Sequence, residues 1–266
     1  INGFLTVIFG GSTGVEVSTV VATATLGNTA YKYQFSAQKY KRELICAGVV
    51  AGVAVLFSSP LAGLFFAIEV IARKINGTII ISTVVSSLAA WAFIYLFDNH
   101  YFFNTAVEGW HLKALPFFLV LSLCSSVLSV YFTWLVIKIK SIFGRISNNF
   151  LRVNLGAIAV GLLILALPEL YGDSYHGLHH ILGQMLTYKY YSIGILFLLV
   201  MLKPLTASLT LGAGGDGGVF APSIVAGAFL GMLFAYSCNT FLDTNLIVFN
   251  CVLIGAACTL AGSIFG

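Results

Sequence analysis

Two short stretches combine bare backbone with a few polar side chains: FGGSTGVEV, Phe9 to Val17, and GAGGDGGVF, Gly212 to Phe220, each leading into an apolar run. A helix start leaves four backbone N–H groups without partners and carries about half a positive charge. Two starts aimed at one point therefore form an anion site with no basic side chain. Glycine suits such a site because it permits left-handed backbone and puts no Cβ between amide and ion. Partial charges also let an anion leave, which a Lys or Arg in its path would hinder. The candidate anion-binding and pore residues are Gly11, Ser12, Thr13 and Gly14 in the first stretch and Gly217, Gly218, Val219 and Phe220 in the second. The competing reading is close helix packing through small residues, which GVVAGVAVLFSSPLAG, Gly48 to Gly63, also suggests.

The titratable groups near these stretches each have a structural reading. Thr13 and Glu16 fit an S/T-x-x-E capping box, in which the hydroxyl takes an amide at the third helical position and the carboxylate returns to the cap. Asp216 reads as an N-cap or local turn former first and as a vestibule charge second. Lys203, beside Pro204, is a boundary or intramembrane cation expected to snorkel to the interface or to pair. His176, His179 and His180 have metal-compatible spacing, but loop histidines with no cysteine nearby are expected to be unliganded, so no metal and no cofactor is assigned. HExxH does not occur, and GGSTG, Gly10 to Gly14, has the GxSxG spacing but not the strand-to-helix setting of a nucleophile elbow, which argues against an intramembrane hydrolase and against an enzyme generally.

Elements that position such groups follow from composition. Of 266 residues 59% are hydrophobic and 8% charged, with a mean hydropathy of +0.99; a soluble domain of this size does not have that balance. Charge-poor apolar runs at Ile75–Phe97, Leu115–Ile137, Leu155–Leu167, Tyr190–Leu202, Val219–Leu242 and Leu246–Phe265 include several near the ~20 residues that span a bilayer. They lack the alternation of a β-barrel. The expected fold is an all-α polytopic membrane protein, with the lipid bilayer as a partner and no nucleic acid. The net charge of +4 is assigned to basic residues in short links that set topology. Five cysteines in apolar runs, odd in number, read as packing residues. The chain opens at Ile1 in mid-segment and stops at GSIFG, and reads as the middle of a longer protein. Broken helices in both halves point to a substrate site at the membrane midplane.

GGVFAP, Gly217 to Pro222, resembles the GxFxP signature of CLC chloride channels and transporters, and SSPLAGLFFAIEV, Ser58 to Val70, resembles that family's APLAG…FxIE helix. GGSTGV, Gly10 to Val15, falls where the family has GxEGP, and TASLTLGAGG, Thr206 to Gly215, extends the likeness. The resemblance implies one partial transmembrane domain over 1–266, with a first half to about 110 and a second from about 111. It also implies a homodimer with an anion path in each subunit, an inverted-repeat helical fold built from two inverted halves with broken helices at the membrane midplane, a bacterial inner-membrane location, and ion contacts at Val219, Phe220 and Gly11–Gly14. The family's gating glutamate aligns with Thr13 and its proline with Val15, and the second internal glutamate of proton-coupled members aligns with Val70. With no carboxylate at either place, passive chloride conduction is expected. The alternative is a proton-coupled antiporter in which Glu16 is a displaced gate. Glu69, from the IE pair, is expected to be a structural hydrogen-bond partner. A non-transport membrane protein is a distant third reading.

Overall fold

A computed structural model describes residues 2–33, 39–72, 75–97, 109, 112–188 and 192–265, all helix, turn and loop apart from one isolated bridge. Eleven α-helices follow in chain order: α1 Asn2–Ile8, α2 Glu16–Tyr33, α3 Lys41–Leu56, α4 Pro60–Phe66, α5 Gly77–Phe97, α6 Leu115–Gly144, α7 Asn149–Ala166, α8 Tyr175–Tyr188, α9 Ile193–Ala213, α10 Phe220–Leu242 and α11 Val248–Phe265. The chain divides into two compact units, one of Ile1–Val15 with Val107–Gly266 and one of Glu16–Ala106. The first 15 residues thus group with the residues from 107 onward.

In the first unit α9 is the hub, packed against α6, α7 and α10, while α10 packs against α11 and α8 as well. In its most apolar window α10 is 61% buried and α7 only 11%, so α10 is an inner helix and α7 turns its sides outward. Side-chain caps set the boundaries. Asn148 accepts from the amides of Phe150 (3.0 Å) and Leu151 (3.3 Å) at the start of α7. Asn239 closes the α10–α11 turn, donating to the Leu246 carbonyl at 2.8 Å and accepting from the Leu246 amide at 2.6 Å. Gly227 and Gly231 of α10 lie against the backbone of Gly255 and Cys251 of α11, and a Cβ at any of these glycines would meet main-chain atoms. Small-residue packing is therefore the role of Gly227 and Gly231, which follow the second stretch.

The structure extends two of the short apolar runs. α7 starts at Asn149 and α9 continues through Lys203 and Pro204 to Ala213, so a lysine and a proline that ended the run in sequence lie inside a 21-residue helix. α6, at 30 residues, is ~45 Å long at 1.5 Å per residue and exceeds the hydrocarbon thickness. It passes Lys138, whose Nζ lies 4.2 Å from the Trp134 ring, an arrangement suited to a membrane boundary. Five helices of the described chain are long and apolar enough to span a membrane.

In the second unit α3 packs against α2, α4 and α5. Gly48 and Gly52 lie against Thr23 of α2, and Gly63 against Val50 and Ala54, so packing is the role of the Gly48–Gly63 stretch. Ser59 caps α4 through the Ala62 amide, with Pro60 at the first turn. The chain then runs into a π-helical turn, Ala67–Ile71. That turn carries Glu69 and Val70, both exposed, Val70 at 44%. Glu69 is not the structural partner expected of it, since it makes no hydrogen bond to a described residue.

Candidate functional site

The two glycine loops meet inside the first unit. The Gly14 amide donates to the Gly218 carbonyl and the Gly218 amide to the Gly14 carbonyl, each at 3.1 Å. Around this bridge several contacts occur twice. The Gly11 amide donates to the Thr6 carbonyl at 2.7 Å, and the Gly215 amide to the Thr210 carbonyl at 2.9 Å. The Ser12 amide donates to Thr210 Oγ1 at 3.1 Å, and the Asp216 amide to Thr6 Oγ1 at 3.2 Å. Thr6 Oγ1 itself donates back to Asn2 and Thr210 Oγ1 to Thr206, each four residues earlier. Gly10 and Gly214 both take positive φ, +88° and +106°, which a side chain would strain. The loops are therefore two copies of one crossing: Thr6 answers to Thr210, Gly14 to Gly218, Val15 to Val219 and Glu16 to Phe220. The sequence carries the signal, GGxxGV in both loops with a threonine four residues before the first glycine.

This register corrects two expectations. Thr13 does not cap α2, because the helix begins at Glu16, too late for a capping box that needs Glu16 at the third helical position. The Thr13 hydroxyl instead donates to the Asp216 carbonyl at 3.5 Å, and Thr13 corresponds to Gly217, whose Cβ position its side chain fills. Asp216 does not cap α10, whose N-cap is Val219; it stands three residues earlier, exposed.

All four amides of Gly11–Gly14 are already donated, those of Gly11, Ser12 and Gly14 as given and that of Thr13 to the Gly11 carbonyl at 2.9 Å. In the second loop Gly217 and Val219 have no amide acceptor among the described residues, and Pro222 has no N–H to offer. The donors of the two loops that remain for an anion among the described residues are thus the Gly217 and Val219 amides, on either side of the bridging Gly218, and the side-chain hydroxyl of Ser12, which is 0% exposed. A cavity of about 390 Å³ adjoins Gly10, Gly11 and Gly215, but Phe9, Val160 and Ile164 in its wall make it a poor anion site.

Lys203 does not snorkel. Its side chain is 0% exposed, and Nζ donates to Ser12 Oγ at 2.7 Å, Ser174 Oγ at 2.7 Å and the Gly172 carbonyl at 2.9 Å. Sequence reasoning missed Ser174 and Gly172 because nothing in the spacing links 172–174 to 203. His176, His179 and His180 are exposed on α8, which is helix where a glycine-bearing loop was expected. No group of three metal-ligating side chains occurs among the described residues.

The voltage gated chloride channel family, CLC, matches residues 1–264. The chain belongs to this family. Among its CLC relatives, the H(+)/Cl(-) exchange transporter ClcA of Vibrio cholerae serotype O1 is 29% identical over 203 residues, covering 73% of this chain and 42% of the relative. ClcA of Yersinia pestis bv. Antiqua is 26% identical over 217 residues, 79% of this chain and 45% of the relative. The chain thus spans less than half the length of these relatives. A crystal structure of a CLC-type fluoride/proton antiporter matches with a TM-score of 0.79 at 24% identity, over 98% of this chain and 64% of that one. A slow cyanobacterial Cl-/H+ antiporter matches with a TM-score of 0.73 at 17% identity, over 98% of this chain and 70% of that one. The CLC fold is that of an all-α integral membrane protein, as expected. Passive conduction is overturned: the relatives carry the names of proton-coupled exchangers.

Proposed function

We infer that the protein exchanges chloride for protons, with the Glu16 carboxylate as the group that enters the anion path when charged and leaves it carrying a proton. The observation behind this is the Gly14–Gly218 bridge. It makes Glu16 the counterpart of Phe220, the first residue of α10, so a carboxylate occupies the first helical position of α2. A carboxylate competes with an anion for the dipole of a helix start and is released from it by protonation. Glu16 is 5% exposed, so it is not a solvated surface charge. Val70 holds no proton, and coupling in this protein runs without a carboxylate at that place. The names of the ClcA relatives support both the anion and the coupling. The reading includes two subunits, each with its own path, and a bacterial inner-membrane location.

The test is a pH record from liposomes that hold the full-length protein and a chloride gradient. Protons should move uphill in fixed proportion to chloride, and Glu16→Gln should keep chloride flux while abolishing proton movement. Chloride flux without proton movement in the unmodified protein would sink the reading.

A further inference from the structure

We propose that Lys203, acting through the Ser12 hydroxyl, is the fixed positive charge of the glycine crossing: a positioning residue that shapes the crossing and strengthens its hold on a small anion. This rests on the reading that the crossing lies on the anion path. An ammonium has three donors and no acceptor, and here three oxygens, Ser12 Oγ, Ser174 Oγ and the Gly172 carbonyl, lie at 2.7–2.9 Å from Nζ. Full satisfaction offsets the desolvation cost that an ammonium otherwise meets in such surroundings. Ionisable side chains within membrane helices mark functional sites by default.

The two hydroxyl partners differ in where their own protons can go. Ser174 Oγ has the Tyr171 carbonyl at 3.4 Å. Ser12 Oγ accepts from Lys203 Nζ at 2.7 Å and from Thr206 Oγ1 at 3.2 Å, and its own proton has no acceptor among the described residues. A hydroxyl that accepts from a cation becomes a stronger donor on its far side. The Ser12 proton, between the glycines of the crossing, is therefore where the buried charge of Lys203 is felt. Relay through a hydroxyl also keeps the full charge off the path, so that the anion can still leave.

Lys203 further ties the crossing to the turn at 171–174. Gly172 and Ser174 both take positive φ there, +59° and +68°. From the same turn the Tyr171 hydroxyl donates to the Ile8 carbonyl at 2.7 Å, at the end of α1. One ammonium thus braces the loop that leads out of α1 from behind.

The experiment is calorimetric titration of chloride into the purified full-length protein in detergent. Lys203→Gln and Ser12→Ala should each weaken chloride binding about tenfold or more, and the double variant should bind no more weakly than the weaker single, because the two residues act as one unit. Folded variants with unchanged chloride affinity and a lower denaturation midpoint would make the cluster a structural brace and overturn the proposal. Additive losses would overturn it too, as would an unmodified protein that binds no chloride. If Lys203→Gln does not fold, Ser12→Ala decides, since it leaves the ammonium two of its three acceptors. Binding is read without proton movement. A protein that fails to couple protons yet loses chloride affinity in Lys203→Gln refutes the exchange reading and leaves this proposal intact.

Discussion

Thr6 and Thr210 do the same job on opposite loops, but their surroundings differ, and so should the cost of losing them. Each hydroxyl accepts an amide from the other loop: Thr210 from buried Ser12, Thr6 from exposed Asp216. Water can replace the partner of an exposed amide and cannot reach a buried one. Thr210→Val should therefore destabilise by about 1–3 kcal/mol and Thr6→Val by well under that, read as chemical denaturation midpoints in detergent. Equal losses would contradict the burial of the Ser12 side of the crossing. Thr13 offers a check on register. It is 0% exposed with its hydroxyl toward the Asp216 carbonyl, so Thr13→Glu should place an unpaired charge against an acceptor, lower stability by several kcal/mol and confer no new pH dependence on chloride flux. A flux newly blocked at neutral pH and recovered in acid would return the gate to Thr13.

Helices α10 and α11 show why glycines of one sequence context have opposite meanings. A Cβ on Gly231 would meet the Cys251 backbone, with the Val252 Cα at 2.8 Å, and main chain cannot rotate away as a side chain can. Gly231→Ala should cost about 1–3 kcal/mol by holding the two helices apart. Gly161 of α7 has nothing within 4 Å of its Cβ position, so Gly161→Ala should be neutral or stabilising by up to ~1 kcal/mol through helix propensity. Thermal midpoints of the two variants side by side test this, and a loss at Gly161 as large as at Gly231 would mean that α7 is covered there. The π-helical turn at Ala67–Ile71 is an element that no spacing announced, because a π-turn arises from one inserted residue and leaves the hydrophobic pattern intact.

The protein as a whole presents apolar side chains outward. Trp91 and Trp134 are 55% and 50% exposed, on α5 and α6, at levels where lipid should touch them. In bilayers of brominated lipid, a variant with Trp134 as its only tryptophan, every other tryptophan being replaced by Phe, should lose a large part of its fluorescence. Emission unaffected by bromine would place that face of α6 against protein. Lys138, 4.2 Å from the Trp134 ring, is expected to shift this tryptophan toward the headgroup end of α6, so bromine near the carbonyl end of the acyl chain should quench more than bromine near the terminal methyl.

Membrane class, helical content and the two glycine loops were legible from residues 9–17 and 212–220 and from runs such as Val219–Leu242, because apolar length and bare backbone are local properties of the chain. The GGxxGV repeat was legible too, yet its meaning was not, because two copies can be aligned in more than one register until a bond joins them. The Gly14–Gly218 bridge pairs the two copies and makes Glu16, the first residue of α2, the counterpart of Phe220, the first residue of α10. The role of Lys203 could not be read from its neighbours at all: a lysine beside a proline in an apolar run is the same local pattern whether it snorkels or is buried. Only the fold, by bringing Ser12, Gly172 and Ser174 within 2.9 Å of its ammonium, supplies the three acceptors that let a charge remain in the interior.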